Sequence, residues 1–435
     1  MPLKLLCDFI GRGRGPTYVA EGGVPVINQR CIRWGQLDKR YLKQTSREAF
    51  DKLAPELRLR AGDVLWNSTG TGTIGRALIC DGSLGEVTAD SHVTIVRSSR
   101  IDPAYLGFLI KTSRVQHLVT EGHVGSTNQQ ELPCSFVEEL LVPLAPLPEQ
   151  RRIVARLDAL FAEVANGEAA LVAARDGLDT FRRALLKAAV TGDLTADWRA
   201  ANRVNETGHD LLARIQAERE TGPPARGRGR RSDAASAPNT SALPGLPEGW
   251  AWATLGALAA SVRNGTSMAP QAPANGNEIL RISSVRPMAI DQRQLRYLSD
   301  EQAAAAKSSD SVVERDDLLF TRYNGSADLV GVGAIYRGGR RFFPDRIIRV
   351  RLAPPMLPCL GFVEMAVNAG EGRRHIAANI ETTAGQQGLS GESLKGTPVP
   401  VPPLSEAAEI VRRFHRSFRK RLGQAPSSTC LLAPP

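Results

Sequence analysis

The chain has 435 residues, 42% of them hydrophobic and 23% charged, and its 55 Lys and Arg against 45 Asp and Glu leave a formal net charge of +10. This length holds two or three domains with cores of their own, and the basic excess favours a polyanionic partner, nucleic acid before membrane, because neutralising phosphates releases counterions. Six scattered cysteines without a C-x-x-C pair (Cys7, Cys31, Cys80, Cys134, Cys359, Cys430) argue against a zinc site and a disulfide framework, and with no apolar run approaching a signal peptide or a membrane span the expected compartment is the cytoplasm.

In chain order, the first clear signature is the apolar run Asp63–Trp66, a predicted strand, followed by NSTGTGTIGR at 67–76. Gly70, Gly72 and Gly75 spell G-x-G-x-x-G, the outline of a dinucleotide-binding turn. Such a loop cradles phosphate because it opens a helix whose free N–H groups and dipole face the anion. Here only Arg76 to Cys80 separate the last glycine from a new turn at Asp81-Gly82, too few residues for that helix. Arg76-Ala77 also stands where a phosphate loop needs Lys and a hydroxyl residue. The stretch reads as a Ser/Thr/Gly hairpin tip between two strands. Further on, His92 after Asp90-Ser91 imitates part of a triad, but in TADSHVTIVR it reads as a structural strand-end histidine.

The next segment carries the strongest periodicity. Stepping by four and three from Ile153 gives Leu157, Leu160, Val164, Gly167, Leu171, Ala174, Leu178, Phe181, Leu185 and Ala188. Sustained 4-3 spacing predicts a coiled-coil helix that needs a partner, with Pro148 in its first turn and Gly192 as its stop. Roughly forty residues at ~1.5 Å each make a rod of ~60 Å. A short helix is predicted at 209–220. The stretch 221–245 reads as a Pro/Gly/Ser linker whose Arg226, Arg228, Arg230 and Arg231 lie on a solvated tether. LPEGWAWATLGAL (246–258) opens a second module.

That second module repeats the first. PLAPLPEQRRIVARLDALF (143–161) and PVPPLSEAAEIVRRFHRSF (400–418) match without a gap at eight of nineteen positions, an offset of 257 residues. The same offset sets Gln129-Gln130-x-Leu132 against Gln386-Gln387-x-Leu389, and AGDVLWN resembles RDDLLFT, with Asp63 opposite Asp317 and Trp66 opposite Phe320. So long a period means two copies of one globular module, each followed by a proline turn and a helix.

Catalytic signatures are missing. The histidines are isolated from one another and from the cysteines, no G-x-S-x-G elbow occurs, and no Pro-Pro pair has the flanks of an adenine methyltransferase tetrapeptide. Pro344-Asp345 begins a nuclease-like pattern that no acidic-x-Lys completes. The residues describe a binding and spacing device.

Duplicated modules, proline-led coiled-coil helices and basic charge together resemble the specificity subunit of a type I restriction-modification system. The residues carrying the resemblance are DFIGRGRGPTYVAEGGVPVINQRCIR (8–33), LRAGDVLWNSTGTGTIGRA (59–77), DSHVTIVR (90–97), GSTNQQELP (125–133), the proline-led repeat and FRRALLKAAVTGDLTADW (181–198). The resemblance implies an α+β fold in which two similar target-recognition domains alternate with long coiled-coil helices. It divides the chain into a first target-recognition domain at 1–146, a central helix at 147–195, a short helix and linker at 196–245, a second target-recognition domain at 246–400, and a shortened C-terminal helix and tail at 401–435. It also implies a non-catalytic role: each domain reads half of a split double-stranded DNA target, and the helices set the gap. The implied partners are two methylation subunits and the restriction (motor-nuclease) subunits. S-adenosylmethionine, ATP and Mg are expected on those partners, with no cofactor, metal or membrane contact on this chain.

Within that resemblance, the expected DNA contacts are residues whose side chains pair with base edges or phosphates. In the first module these are Arg12, Arg14, Asn28, Gln29, Arg30, Ser68, Thr69, Thr71, Ser126, Thr127 and Gln129. In the second they are Arg281, Ser283, Arg322, Tyr323, Asn324 and Gln386. Because Gln129 and Gln130 recur in both modules, a structural role is the competing expectation for them. The sequence departs from the family's pattern after Phe418, where RKRLGQAPSSTCLLAPP lacks a 4-3 repeat and the second helix is expected to be truncated at about fifteen residues. Alternatives are a truncated, inactive subunit, a stand-alone DNA-binding protein that self-associates through the free helical seam, and an unrecognised nuclease or methyltransferase.

Overall fold

The computed structural model describes residues 1–15, 17–125, 130–221, 240–270, 273–274, 276–383 and 386–421. Internal packing divides the chain into two units, Met1–Val172 and Ala173–Pro435.

The first unit is built on an antiparallel sheet of four strands: β1 (Phe9–Arg12), β4 (Val64–Asn67), β5 (Ala77–Ile79) and β7 (Val93–Arg97), in the order β1-β7-β4-β5. Side chains alternate across a strand, so this sheet has two apolar faces. Val64, Trp66 and Val96 face one cluster with Leu106, Ile110, Val115 and Val119 from helices α1 (Pro103–Lys111) and α2 (Ser113–Gly122). Leu65, Val93 and Ile95 face another with Ile27, Cys31, Leu78 and Ala89. That second layer is a small sheet of Tyr18–Val19, β3 (Lys43–Thr45), β2 (Val24–Ile27) and β6 (Thr88–Ala89), in which only β2 and β6 are parallel. Asp102 starts α1, its carboxylate accepting from the N–H groups of Ala104 and Tyr105, with Pro103 in the first turn where no N–H is needed.

The second unit repeats the scheme with β8 (Ala259–Asn264), β11 (Leu318–Thr321), β13 (Gly333–Ile335) and β15 (Ile347–Leu352), in the order β8-β15-β11-β13. Behind it lie β9 (Glu278–Leu280), β10 (Leu295–Tyr297) and β14 (Arg341–Phe342), with β9 and β14 parallel as β2 and β6 are. Between β11 and β13, β12 (Tyr323–Asn324) leaves the main sheet and joins a hairpin of β16 (Glu381–Thr383) and β17 (Gln386–Gly388).

Helix α3 runs unbroken over the 45 residues Leu147–Thr191 and stops at Gly192, whose φ of 81° is the left-handed conformation that ends helices. Leu160, Phe161, Val164, Leu171 and Val172 lie exposed along it, while Leu185, Leu186, Ala189 and Val190 enter the core of the second unit. Helix α4 covers Gly208–Thr221, and the C-terminal helix described is α7, Leu404–Arg421, which follows α5 (Leu360–Asn368) and α6 (Gly370–Ala378). Buried Glu406 of α7 is fixed by Thr195 Oγ1 and Trp250 Nε1, both donating at 2.8 Å, and by Arg199. The linker arginines Arg226, Arg228, Arg230 and Arg231, and the tail from 422 onward, lie outside the described residues.

Candidate nucleic-acid interface

The two units share a frame residue by residue. Buried Asp63 receives Arg97 Nε and Nη2 at 2.7 Å each, and buried Asp317 receives Arg351 Nε and Nη2 at 2.7 and 2.9 Å. Each carboxylate also accepts a backbone N–H three residues upstream, Arg60 in one case and Glu314 in the other. Gly75 and Gly331 both have positive φ, and a Cβ at either would collide with Val119 or Ile376, matching residues of α2 and α6. These contacts lock the strand ends from which the loops spring.

At that loop end the frame carries a hairpin. In the first unit Val124 and Glu131 exchange backbone hydrogen bonds at 2.8 and 2.9 Å, and Thr69 bridges to Glu131. In the second, Glu381 pairs with Gly388, and Tyr323 pairs with the same Gly388. Ser126, Thr127 and Gln129 lie outside the described residues. Gln130 is held by its backbone, its carbonyl accepting from Gly70 N–H at 3.1 Å.

The other first-unit candidates divide by burial. Ser68 is fully buried, its hydroxyl 2.5 Å from Thr94 Oγ1 and donating to Trp66 O. Asn28 is 5% exposed and spends both ends of its amide on Tyr41 O and Arg30 N–H. Both side chains are buried with their polar atoms bonded within the fold, so neither is presented at the surface as a DNA contact was expected to be. Arg12 is half-buried and donates to Ser91 O, Leu132 O and Glu131 Oε1, tying β1 to the hairpin. Thr69 donates to Gln29 Oε1 at 2.6 Å and sits 2.8 Å from His92 Nδ1. Asp90 holds the His92 backbone N–H and not its ring, so no triad is formed. Thr71 and Arg14 are exposed, and the Arg14 guanidinium makes no hydrogen bond or ion pair among the described residues.

Arg30 belongs to a second feature of the same loop end. Its guanidinium lies 4.2 Å over the Tyr41 ring, with Arg33 and Arg40 at 5.6 and 5.8 Å from the same ring. Asp38 pairs with Arg40 and Arg33 and is held down to about 2, chiefly by its hydrogen bond from Arg40, while Arg30 has no carboxylate among the described residues. Nearby, Lys43 lies 4.1 Å over the ring of Tyr18, whose hydroxyl donates to Asp90 at 3.4 Å; burial pushes the Asp90 carboxyl up. Stacked cations with spare donors suit a phosphate backbone.

In the second unit Arg281 is exposed, Ser283 donates to Gln294 Oε1 at 2.6 Å, and the Asn324 side-chain Oδ1 accepts from Ser326 N–H at 3.1 Å. Gln386 is exposed on β17, and half-buried Arg322 lies 4.8 Å over the ring of Tyr323. The candidates of the two units fall on matching places: Asn28 with Arg281, Arg30 with Ser283, Ser68 with Arg322, Thr69 with Tyr323. His92, read from the sequence as a structural strand-end histidine, and its counterpart Arg346 both stand just before the strand that carries the frame arginine, and the Tyr41 platform was not among the sequence candidates. Among the described residues no group of His, Cys, Asp and Glu suits a metal ion, and no helix is long and apolar enough to cross a membrane.

Comparison with known proteins supplies a family. A family model described as the type I restriction modification DNA specificity domain matches residues 18–172. The type I restriction enzyme EcoKI specificity subunit of Escherichia coli (strain K12) is 29% identical over 410 residues, covering 92% of this chain and 77% of that protein. The StySPI specificity subunit of Salmonella potsdam is 30% identical over 414 residues, with the same two coverages of 92% and 77%. In fold, the crystal structure of the HsdS subunit from Thermoanaerobacter tengcongensis is similar with a TM-score of 0.53 at 15% identity, over 97% of this chain and 89% of that one.

Proposed function

The chain belongs to the family of type I restriction-modification DNA specificity subunits, and from that premise we propose that it recognises a bipartite double-stranded DNA target and scaffolds two methylation subunits and the restriction subunits. Each unit meets one half-site with the loop end of its sheet, where the candidates gather. The observation that carries this reading is the duplication itself: one frame, Asp63–Arg97 and Asp317–Arg351, bears two different sets of exposed polar side chains. A constant frame with changed tips is what reading two different half-sites with one fold requires. The chain supplies positioning and no reaction of its own. S-adenosylmethionine, ATP and Mg belong to the partner subunits, and the place of action is the cytoplasm with its DNA.

Long-read detection of N6-methyladenine, in cells expressing the chain with its methylation subunit, tests this directly. A split motif with a constant gap is expected. Background methylation from a well-expressed pair would refute the assembly. A second reading rests on the exposed Leu160, Phe161, Val164, Leu171 and Val172 of α3: self-association through that face. A homodimeric mass for the purified chain, with DNA binding in the absence of methylation subunits, would favour it.

A further inference from the structure

At one position the shared frame holds opposite chemistry. Ser68 N–H donates to His92 O at 3.0 Å and Ser68 O accepts from Leu132 N–H at 2.7 Å. Arg322 makes the same two bonds, to Arg346 O at 2.8 Å and from Leu389 N–H at 2.9 Å. The backbones coincide in role, and the side chains do not. Ser68 turns inward because Thr94, opposite Trp66, offers it a hydroxyl. The residue opposite Phe320 is buried Ile348, which offers none.

Arg322 therefore stays at the loop end. Its guanidinium lies 4.8 Å over Tyr323, and Nη1 reaches only the Asp345 carbonyl at 3.4 Å. Nε is shielded from solvent without an acceptor, as is Gln387 Oε1 without a donor, on the strand that pairs with β12. Among the described residues Arg322 has no carboxylate partner. A planar cation held on an aromatic ring and short of acceptors is arranged for a planar double acceptor brought by the partner. In the DNA major groove that is the O6/N7 edge of guanine.

We propose that Arg322 is a specificity-determining residue: it selects guanine in the half-site met by the second unit, at a register where Ser68 gives the first unit no equivalent contact. This rests on the function proposed above. The test is methylome mapping of the full chain, co-expressed with its methylation subunit, as wild type, Arg322→Ala and Arg322→Gln. In Arg322→Ala one guanine of one half-site becomes degenerate, its preference falling on the order of 10- to 100-fold, and the other half-site is unchanged. Arg322→Gln shifts the preference at that position toward adenine, whose edge a glutamine matches, and decides the matter if the alanine variant does not accumulate. An unchanged motif, or an even loss of methylation across all sites as a phosphate contact gives, overturns the assignment. A wild type that yields no split motif refutes the proposed function instead, so the two failures are distinguishable.

Discussion

Two carboxylates hold the frame, and their environments set different costs for losing them. Asp63 is 1% exposed and its partner Arg97 14%, whereas Asp317 is 1% exposed and Arg351 36%. Replacing one member of a buried pair leaves the other charge desolvated and unpaired, which costs about 3–5 kcal/mol, and less where water reaches the survivor. Asp63→Asn is therefore expected to destabilise by more than Asp317→Asn, read as midpoint shifts in urea unfolding of the two variants. Equal shifts would mean that Arg351 is as dependent on its partner as Arg97. A third carboxylate gives a pH dependence. Glu364 accepts from Ile335 N–H at 2.7 Å, and burial pushes its carboxyl up to about 7, with Arg337 and Arg182 only partly offsetting this. In the unfolded chain it ionises near ~4.3. Between those values the folded state keeps a proton that the unfolded state has lost, so this group's contribution to stability falls as pH rises toward 7 and is flat above. Glu364→Gln keeps the acceptor and removes the titration. It is expected to stabilise by roughly 3–4 kcal/mol near pH 8 and by almost nothing near pH 4, and a gain equal at both pH values would sink the argument.

Element by element, what the sequence makes legible is what is local. The 4-3 spacing, Pro148 and Gly192 mark α3, and the short Arg76–Cys80 run excludes a phosphate-loop helix and yields β5. The parallel pairing of β2 with β6 joins residues 62 apart and leaves no local trace, so the second layer is visible only in the structure. The burial of Ser68 lay within reach of the sequence, because strand alternation places Val64, Trp66 and Ser68 on one face and Trp66 is fully buried. Asn28 carries no such signal, since its partner Tyr41 is distant in sequence. Two substitutions separate the exposed from the load on these elements. Leu171→Ala, on the exposed face of α3, is expected to change the stability of the isolated chain by less than about 0.5 kcal/mol. Gly75→Ala forces a left-handed residue against Val119 and Gln116, both 2.9 Å from the new Cβ, and is expected to cost about 1–3 kcal/mol. Thermal unfolding of both variants checks the contrast, and a Gly75→Ala protein as stable as wild type would show that α2 yields.

Over the whole molecule, two properties were legible early: the net charge of +10 and the 257-residue offset that doubles the frame. What composition leaves open is how that charge divides between phosphate contact and base reading, because each arginine carries the same charge wherever it points. The proposed division rests on their surroundings. Arg30 rests on Tyr41 at an exposed edge beside Arg33, Arg40 and Lys39, a cluster suited to a backbone that is charged whatever its sequence. Arg322 sits half-buried on the Tyr323 ring with its Nε short of an acceptor, the surroundings from which guanine reading is proposed. Affinity and selectivity should then come apart. A protein neutralising six to ten phosphates loses roughly 10³–10⁵ in affinity between about 50 and 200 mM salt. Arg30→Ala is expected to lower the slope of log K against log salt by about 0.9 and to leave the methylated motif as it was. Binding of the assembled complex to a target duplex, titrated at several salt concentrations, measures the slope, and the methylome measures the motif. If Arg30→Ala alters the motif with an unchanged slope, the Tyr41 cluster reads bases, and the division drawn from burial is wrong at this site.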